Sequence, residues 1–373
     1  MSAVEDSVRV CPSCGAPAAE NDYCSACGLR LETQSELPTR SVWESKRAQQ
    51  DSVSLQSAQK DSPESPVGRA PSIKPLLHPT ESSRLALALL GASLAGLGLV
   101  VVIIGVAAAS AAALFGVALF IAFLIGTLWL GQQLLRARLL GRSLKVSADT
   151  FPELQALLDD VAATLDYHRR VDVYVIDKAD PPISTTSYLG TRIILIEGGL
   201  AAELIDPERR PQLIFLLGRS LGALKAKHTR VDLIVLLLQA ANALRYVSLF
   251  LLPWYRATTY SGDQIGMVCC GNADAALEAT RRLLVGKDLA SELGAGDVLP
   301  QALLVQSRLL PRLIQLFASE PHLTNRYANL ICFIRYHDPE VWDRLGGSMD
   351  AEQSHVLDQL WQRSPHRRRL VGV

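Results

Sequence analysis

The sequence predicts a multi-domain protein: a small four-cysteine ribbon, a transmembrane helical hairpin, and a mainly α domain of α+β type with a short sheet. Three observations predict it. Two Cys-x-x-Cys pairs stand near the N-terminus, residues Leu85 to Leu130 contain no charged side chain, and beyond residue 140 helical spacing alternates with two short β-rich runs. At 373 residues the chain is too long for one typical domain. Its 37 basic and 37 acidic side chains cancel, which disfavours a dedicated nucleic-acid binder, and its mean hydropathy is positive, as in a membrane component.

Residues 1–30 carry Cys11-Pro-Ser-Cys14-Gly and Cys24-Ser-Ala-Cys27-Gly. Two such knuckles supply four thiolates for one tetrahedral structural zinc, and the glycine after each pair lets the backbone turn beneath the metal. A segment this small folds only with its metal. Disulfides are the alternative, opposed by the cytoplasmic placement derived below, where thiols stay reduced. Glu5, Asp6, Glu20 and Asp22 outnumber Arg9 and Arg30, so protein contact is a better use of the ribbon than phosphate binding.

Residues 31–83 are rich in Ser, Gln, Glu and Pro without a sustained apolar period, and are expected to form a disordered tether. The uncharged run follows, within a predicted hairpin over 84–135. One span needs about 20 apolar residues, so the run is long enough for two, near Leu85 to Val106 and Ala111 to Leu130, with a break around Ser110. Arg69, Lys74 and Arg84 precede it; Arg136, Arg138, Arg142 and Lys145 follow. Positive charge on both flanks predicts that both soluble parts lie in the cytoplasm. The N-terminal ribbon resembles those at the front of many bacterial membrane proteins, which implies the inner membrane of a bacterial-type cell.

Over 140–345, Pro152 to Tyr167 is expected to be an amphipathic helix, with strands at Val171 to Ile176 and Arg192 to Glu197. Val231 to Leu252 is strongly apolar but carries Gln239, Asn242 and Arg245. It is expected to be a buried or membrane-surface helical segment rather than a third span. Helices are predicted over Asn272 to Val285 and Pro300 to Ala318. Cys269, Cys270 and Cys332 lie in apolar surroundings and are expected to be buried thiols, while His168, His228, His322 and His337 are read as surface or capping residues. Residues 346–373 are expected to be a tail, its RSPHRRRL run solvated or touching anionic lipid.

Several segments in this domain together resemble the HtpX and CAAX-prenyl-protease type of membrane zinc metallopeptidase. They are VDVYVIDKADPPISTTSYLGTRIILIEGGLAAEL, with Pro182, Ile183 and Ser184 at a loop; IDPERRPQL, where Asp206 can cap and Pro207 open a helix; LIFLLGRSLGALKAKH; RATTYSGDQIG; and SEPHLTNRYANL, with Pro321, His322 and Arg326. The resemblance implies a His-Glu-x-x-His helix, in which two histidines one turn apart hold zinc and the glutamate is the general base. Here Gly218, Arg219 and Gly222 occupy those positions, and Thr259 stands where the third ligand, a Glu, is implied, while Arg256 and Asp263 are retained. Glycine has no ligand atom and a guanidinium accepts no proton. A glycine pair at i and i+4 is also what close helix packing uses.

The sequence therefore suggests a degenerate, membrane-anchored metallopeptidase with a scaffold or regulatory role, bound to the lipid bilayer and to an unidentified protein partner. An active metalloendopeptidase, or a ribbon-centred adaptor whose protease-like part only anchors, are the competing readings. If the fold is retained, Gly218, Gly222, Thr259 and Asp263 are expected to converge, and Arg219 either pairs with Asp263 or another nearby carboxylate or turns away to solvent.

Overall fold

The computed structural model describes residues 72–188, 191–231 and 248–371. The chain divides into two units, Met1–Arg69 and Ala70–Val373. The first, with Cys11, Cys14, Cys24 and Cys27, lies outside the described residues, so the expected ribbon and most of the expected tether do too.

The second unit opens with a 3-10 turn, Lys74–Leu76, and two long helices, α1 (Glu81–Ala109) and α2 (Ala111–Arg142). They are separated at Ser110, whose extended backbone (φ −170°, ψ 154°) breaks the chain where the small-residue stretch suggested. Side chains such as Leu94, Val101 and Ile104 on α1 and Phe115 and Phe123 on α2 are exposed. Among the described residues one helix is long and apolar enough to cross a membrane, over Glu81–Gly105; the apolar part of α2, Phe115–Gly131, is shorter, and α2 runs past the expected end at 135.

The tether does not reach Ser83. Leu76 is buried in the main core, and His78 is buried with its N–H donating to Ser261 Oγ at 2.9 Å. A single apolar anchor in so short a turn leaves no period in the sequence.

Strands β1 (Ser143–Lys145), β2 (Asp172–Ile176), β3 (Ile183–Tyr188) and β4 (Thr191–Glu197) form one sheet in the order β1-β2-β4-β3. β2 and β4 are parallel, with Val173 opposite Ile194; the two outer strands are antiparallel to their neighbours. Ile183 and Ser184, expected in a loop, instead open β3, where Ile183 fills the core opposite Ile196. Helix α3 (Pro152–Thr164) buries Leu154, Leu157, Leu158 and Val161, the i, i+3, i+4, i+7 face its sequence shows.

After α4 (Gly198–Leu204) comes α5 (Arg210–Lys225), buried on nearly all sides by Leu213, Phe215, Leu216, Leu217, Leu221 and Leu224. The expected cap is misplaced: Asp206 accepts from Glu208 N at 3.3 Å in the preceding turn, and Pro211, not Pro207, lies at the start of the helix. Of the apolar segment Val231 to Leu252, residues 232–247 lie outside the described residues, and its last five open α6 (Ser248–Cys270). α7 (Ala273–Val285) is capped by Asn272, whose side chain accepts from Ala275 N at 3.0 Å.

A short α8 (Lys287–Ala290) leads to α9 (Leu299–Ser307) and α10 (Leu309–Phe317), where one helix was expected; Arg308 between them is extended at ψ 140°. Pro311 is the cause: within a helix its ring would clash with the carbonyl of residue 307 and it donates no N–H, whereas in the first turn of a new helix it is tolerated. α11 (Leu323–His337) buries ten of its 15 residues, as many as the longer α5. α12 (Pro339–Gly347), α13 (Ala351–Arg363) and α14 (Pro365–Val371) follow. The expected tail is part of the domain: Val356, Leu357, Leu360 and Trp361 enter the core and His366 is fully buried. Asp350 and Gln353 form a capping box that starts α13.

Candidate functional site

The helices α5 and α6 run antiparallel and nearly touch along their backbones, because each carries a Gly-x-x-x-Gly pair: Gly218 and Gly222 on α5, Gly262 and Gly266 on α6. A Cβ at Gly218 would sit 2.8 Å from Cys269 Cβ, and one at Gly222 2.5 Å from Ile265 Cγ2. From the other side, a Cβ at Gly266 would sit 2.5 Å from the Phe215 carbonyl oxygen, and one at Gly262 3.3 Å from Arg219 Cγ. Ordinary carbon contacts are about 3.5–4.0 Å, so the four glycines interlock and leave no space between the helices at this level.

Beside the interlock lies a buried charge cluster. Asp263 is 1% exposed and accepts from Arg326 Nε at 2.9 Å and Nη2 at 2.8 Å, a bidentate pair reaching across from α11. Arg219 Nε lies 3.1 Å from Asp263 Oδ1. Two guanidiniums thus share one carboxylate. Burial lowers the Arg219 pKa and neighbouring Arg326 lowers it further, against the pull of Asp263 and Glu320; for Arg326 burial also acts downward, but the charge and hydrogen bonds of Asp263 outweigh it and raise the pKa. The Arg219–Asp263 pairing is present, and Arg326, named in the sequence without a role, is the stronger partner.

Thr259 lies one turn before Asp263 on α6, and its hydroxyl donates to the Tyr255 carbonyl of its own helix at 3.3 Å. Arg256 does not join the cluster. Its Nη1 donates to the carbonyls of Gln315 (2.8 Å) and Ala318 (2.8 Å), closing the C-terminus of α10.

His228, expected at the surface, is buried. Its Nε2 lies 2.8 Å from Glu81 Oε1, while Ser261 Oγ donates to the other oxygen of the same carboxylate. Glu81 stands between the hydroxyl and the imidazole, so the imidazole does not act as a base on Ser261; the trio joins α1 to α6. Sequence reasoning missed it, since its members lie 147 and 180 positions apart. The one available signal was an acid just before an apolar run.

Of the other histidines, His168 is exposed beside Asp166, His322 stands at the N-cap of α11 and His337 is exposed. Cys332 is buried and Cys269 and Cys270 half-buried. Burial pushes their thiols up to about 12, 12 and 11, leaving them protonated and unreactive at neutral pH.

Residues 204–331, from the end of α4 into α11, match the model of Peptidase family M48. This stretch contains both interlocked helices and the Asp263 cluster. No curated protein and no solved structure matches the chain.

A catalytic zinc takes three protein ligands and keeps one open position. Gly218 and Gly222 offer no ligand atom, Arg219 is cationic, and the Thr259 hydroxyl is bonded to its own helix. Among the described residues no group of three or more His, Cys, Asp or Glu side chains is placed to hold an ion. The residues at this place do not fit a zinc ion.

Proposed function

We propose that the chain is a membrane-anchored, degenerate relative of the HtpX and CAAX-prenyl-protease type of metallopeptidase, which holds protein segments without cutting them. What supports this reading is the α5–α6 interlock: close helix packing at Gly218 and Gly222 and the Arg219–Asp263–Arg326 cluster beside it offer neither zinc ligands nor a general base. The anchor is the hairpin of α1 and α2, with both soluble parts cytoplasmic at the inner membrane, and the N-terminal cysteines bind one structural zinc. Balanced charge gives no footprint for nucleic acid.

The surface for a segment is the outer edge of β3, which packs beside α5. Among the described residues no strand pairs with that edge. Glu197 N donates to Pro182 O, which sets the hydrogen-bonding alternation of the antiparallel β3–β4 pair. Ile183, Thr185 and Ser187 then turn their N–H and C=O groups outward, and an extended peptide can add there as a further strand.

The test uses the full chain in detergent. Casein should remain uncleaved with zinc present, with no difference on adding a chelator. Reduced, carboxymethylated casein should be retained on the immobilised protein, and Thr185→Pro, which removes an outward N–H while sparing the ladder to β4, should weaken retention several-fold. Chelator-sensitive cleavage would overturn the pseudoenzyme; retention unaffected by Thr185→Pro would overturn the edge-strand surface.

A further inference from the structure

Helix α10 has no buried residue. Leu309, Leu310, Leu313, Ile314, Leu316 and Phe317 are 41–71% exposed. At 100° per residue these six fall in one arc of about 160°, with Pro311, Arg312 and Gln315 filling the rest. The polar side is the one tied to the domain: Asn325 Nδ2 donates to Gln315 Oε1 at 3.0 Å, His322 Nε2 lies 3.4 Å from the Pro311 carbonyl, and Arg256 holds the last carbonyls. The apolar side therefore faces outward, and a groove lined by Leu304, Val305, Leu309 and Leu310 continues it.

The register between α1 and α6 sets the level at which this face lies. The two helices are antiparallel: Phe250 packs on Gly91, Leu251 and Trp254 pack on Ala88, and Ser261 bonds Glu81. Interpolating along these contacts, Arg256 stands level with Ala86, at the beginning of the uncharged run that opens at Leu85. The arginine that closes the C-terminus of α10 is thus at the height where α1 would pass from water into hydrocarbon. Arg308 and Arg312, both exposed, supply positive charge at the same helix, and α10 contains no acid.

We propose that α10 is an interfacial helix, its Leu309–Phe317 apolar face inserted at the headgroup–acyl boundary of the same bilayer that α1 crosses. Apolar burial combined with basic residues is what holds such helices in the plane of an anionic membrane. The inference rests on α1 being a membrane span, and the experiment separates the two.

The full-length chain is reconstituted in nanodiscs of phosphatidylethanolamine and phosphatidylglycerol, with a photoreactive diazirine residue replacing Ile314, Val101 or Glu352 in turn. After irradiation, mass spectrometry should find phospholipid adducts from positions 314 and 101 and none from 352. Adducts from 101 alone, or a cross-link from 314 to a second copy of the chain, would overturn the interfacial helix while leaving the span intact. Absence of adducts from 101 would overturn the span itself. As a second measurement, Ile314→Glu should leave Val101 labelling unchanged and abolish lipid adducts from a diazirine residue at Phe317; persistence of those adducts would count against insertion of this face.

Discussion

Replacing Gly266 by alanine puts a methyl carbon 2.5 Å from the Phe215 carbonyl oxygen and 3.0 Å from Arg219 N, both backbone atoms of α5. Neither can rotate aside, so relief requires α5 and α6 to move apart by roughly 1 Å, against contacts of about 3.5–4.0 Å elsewhere in the core. Overpacking of this kind costs about 1–3 kcal/mol when side chains absorb it, and an immovable backbone neighbour places Gly266→Ala at or above the upper end. The helix-propensity gain of about 1 kcal/mol for Gly to Ala offsets part of this. Gly222→Ala meets the Ile265 side chain, at 2.5 Å from Cγ2 and 3.0 Å from Cβ; a rotamer change moves Cγ2 but not Cβ, so the clash is relieved in part and the net cost should be smaller than at Gly266, about 1 kcal/mol. Gly346 in α12 has nothing within 4 Å of its would-be Cβ, and Gly346→Ala should be neutral or stabilising. At about 2 °C per kcal/mol for a domain of this size, the order of thermal midpoints should be Gly346→Ala at or above wild type, Gly222→Ala about 2 °C below it and Gly266→Ala roughly 4 °C or more below. Thermal unfolding of the four proteins in one detergent decides it. A Gly266→Ala midpoint at or above wild type would refute the interlock, and with it the support it gives to a degenerate site.

Asp263→Asn should cost about 3–5 kcal/mol, because it leaves two buried guanidiniums without a carboxylate, whereas Arg219→Met, which removes one of two like charges, should stay within about 1 kcal/mol of wild type. Denaturant midpoints measure both, and equal costs would contradict the shared-carboxylate account. Burial holds the His366 imidazole down at about 4, with Arg369 adding to it, against an ordinary 6.5. The unfolded chain therefore binds the extra proton first, so this stability is fully present above pH 6.5 and lost as pH falls towards 4, amounting to about 3 kcal/mol. Midpoints of wild type and His366→Gln compared at pH 7.5 and 4.5 should converge at the lower pH; a constant gap would rule the mechanism out. For the ribbon, the purified chain should carry one zinc, released in a Cys14→Ser, Cys24→Ser double variant, and elemental analysis showing full zinc in that variant would exclude the four-thiolate site.

Features written in neighbouring residues were legible in the sequence. The break between α1 and α2 at Ser110 followed from charge absence interrupted by small residues, and Asn272 was visible ahead of the helical spacing of α7. Two local signals were present but misread: Pro311, which splits α9 from α10, and the Asp350 to Gln353 capping box that begins α13 within what reads as a basic tail. Both are rules about one turn of backbone, outweighed in the reading by the longer apolar or charged pattern around them.

By itself the sequence determined what residues 218, 219 and 222 can offer: two glycines and an arginine supply no side-chain metal ligand and no base, whatever the fold. Only the tertiary structure decided what lies against them, because the same glycine spacing permits either an empty cleft or close helix packing, and the choice depends on Gly262 and Gly266 arriving from α6, a separate helix. It likewise decided that Arg326 joins Arg219 on Asp263, that Glu81 joins His228 to Ser261, and that the polar side of α10 is consumed by Arg256, Asn325 and His322 while its apolar side is left outward. Hydrogen bonds and steric contact fall off within a few ångströms, so residues distant along the chain acquire partners only when packing brings them together.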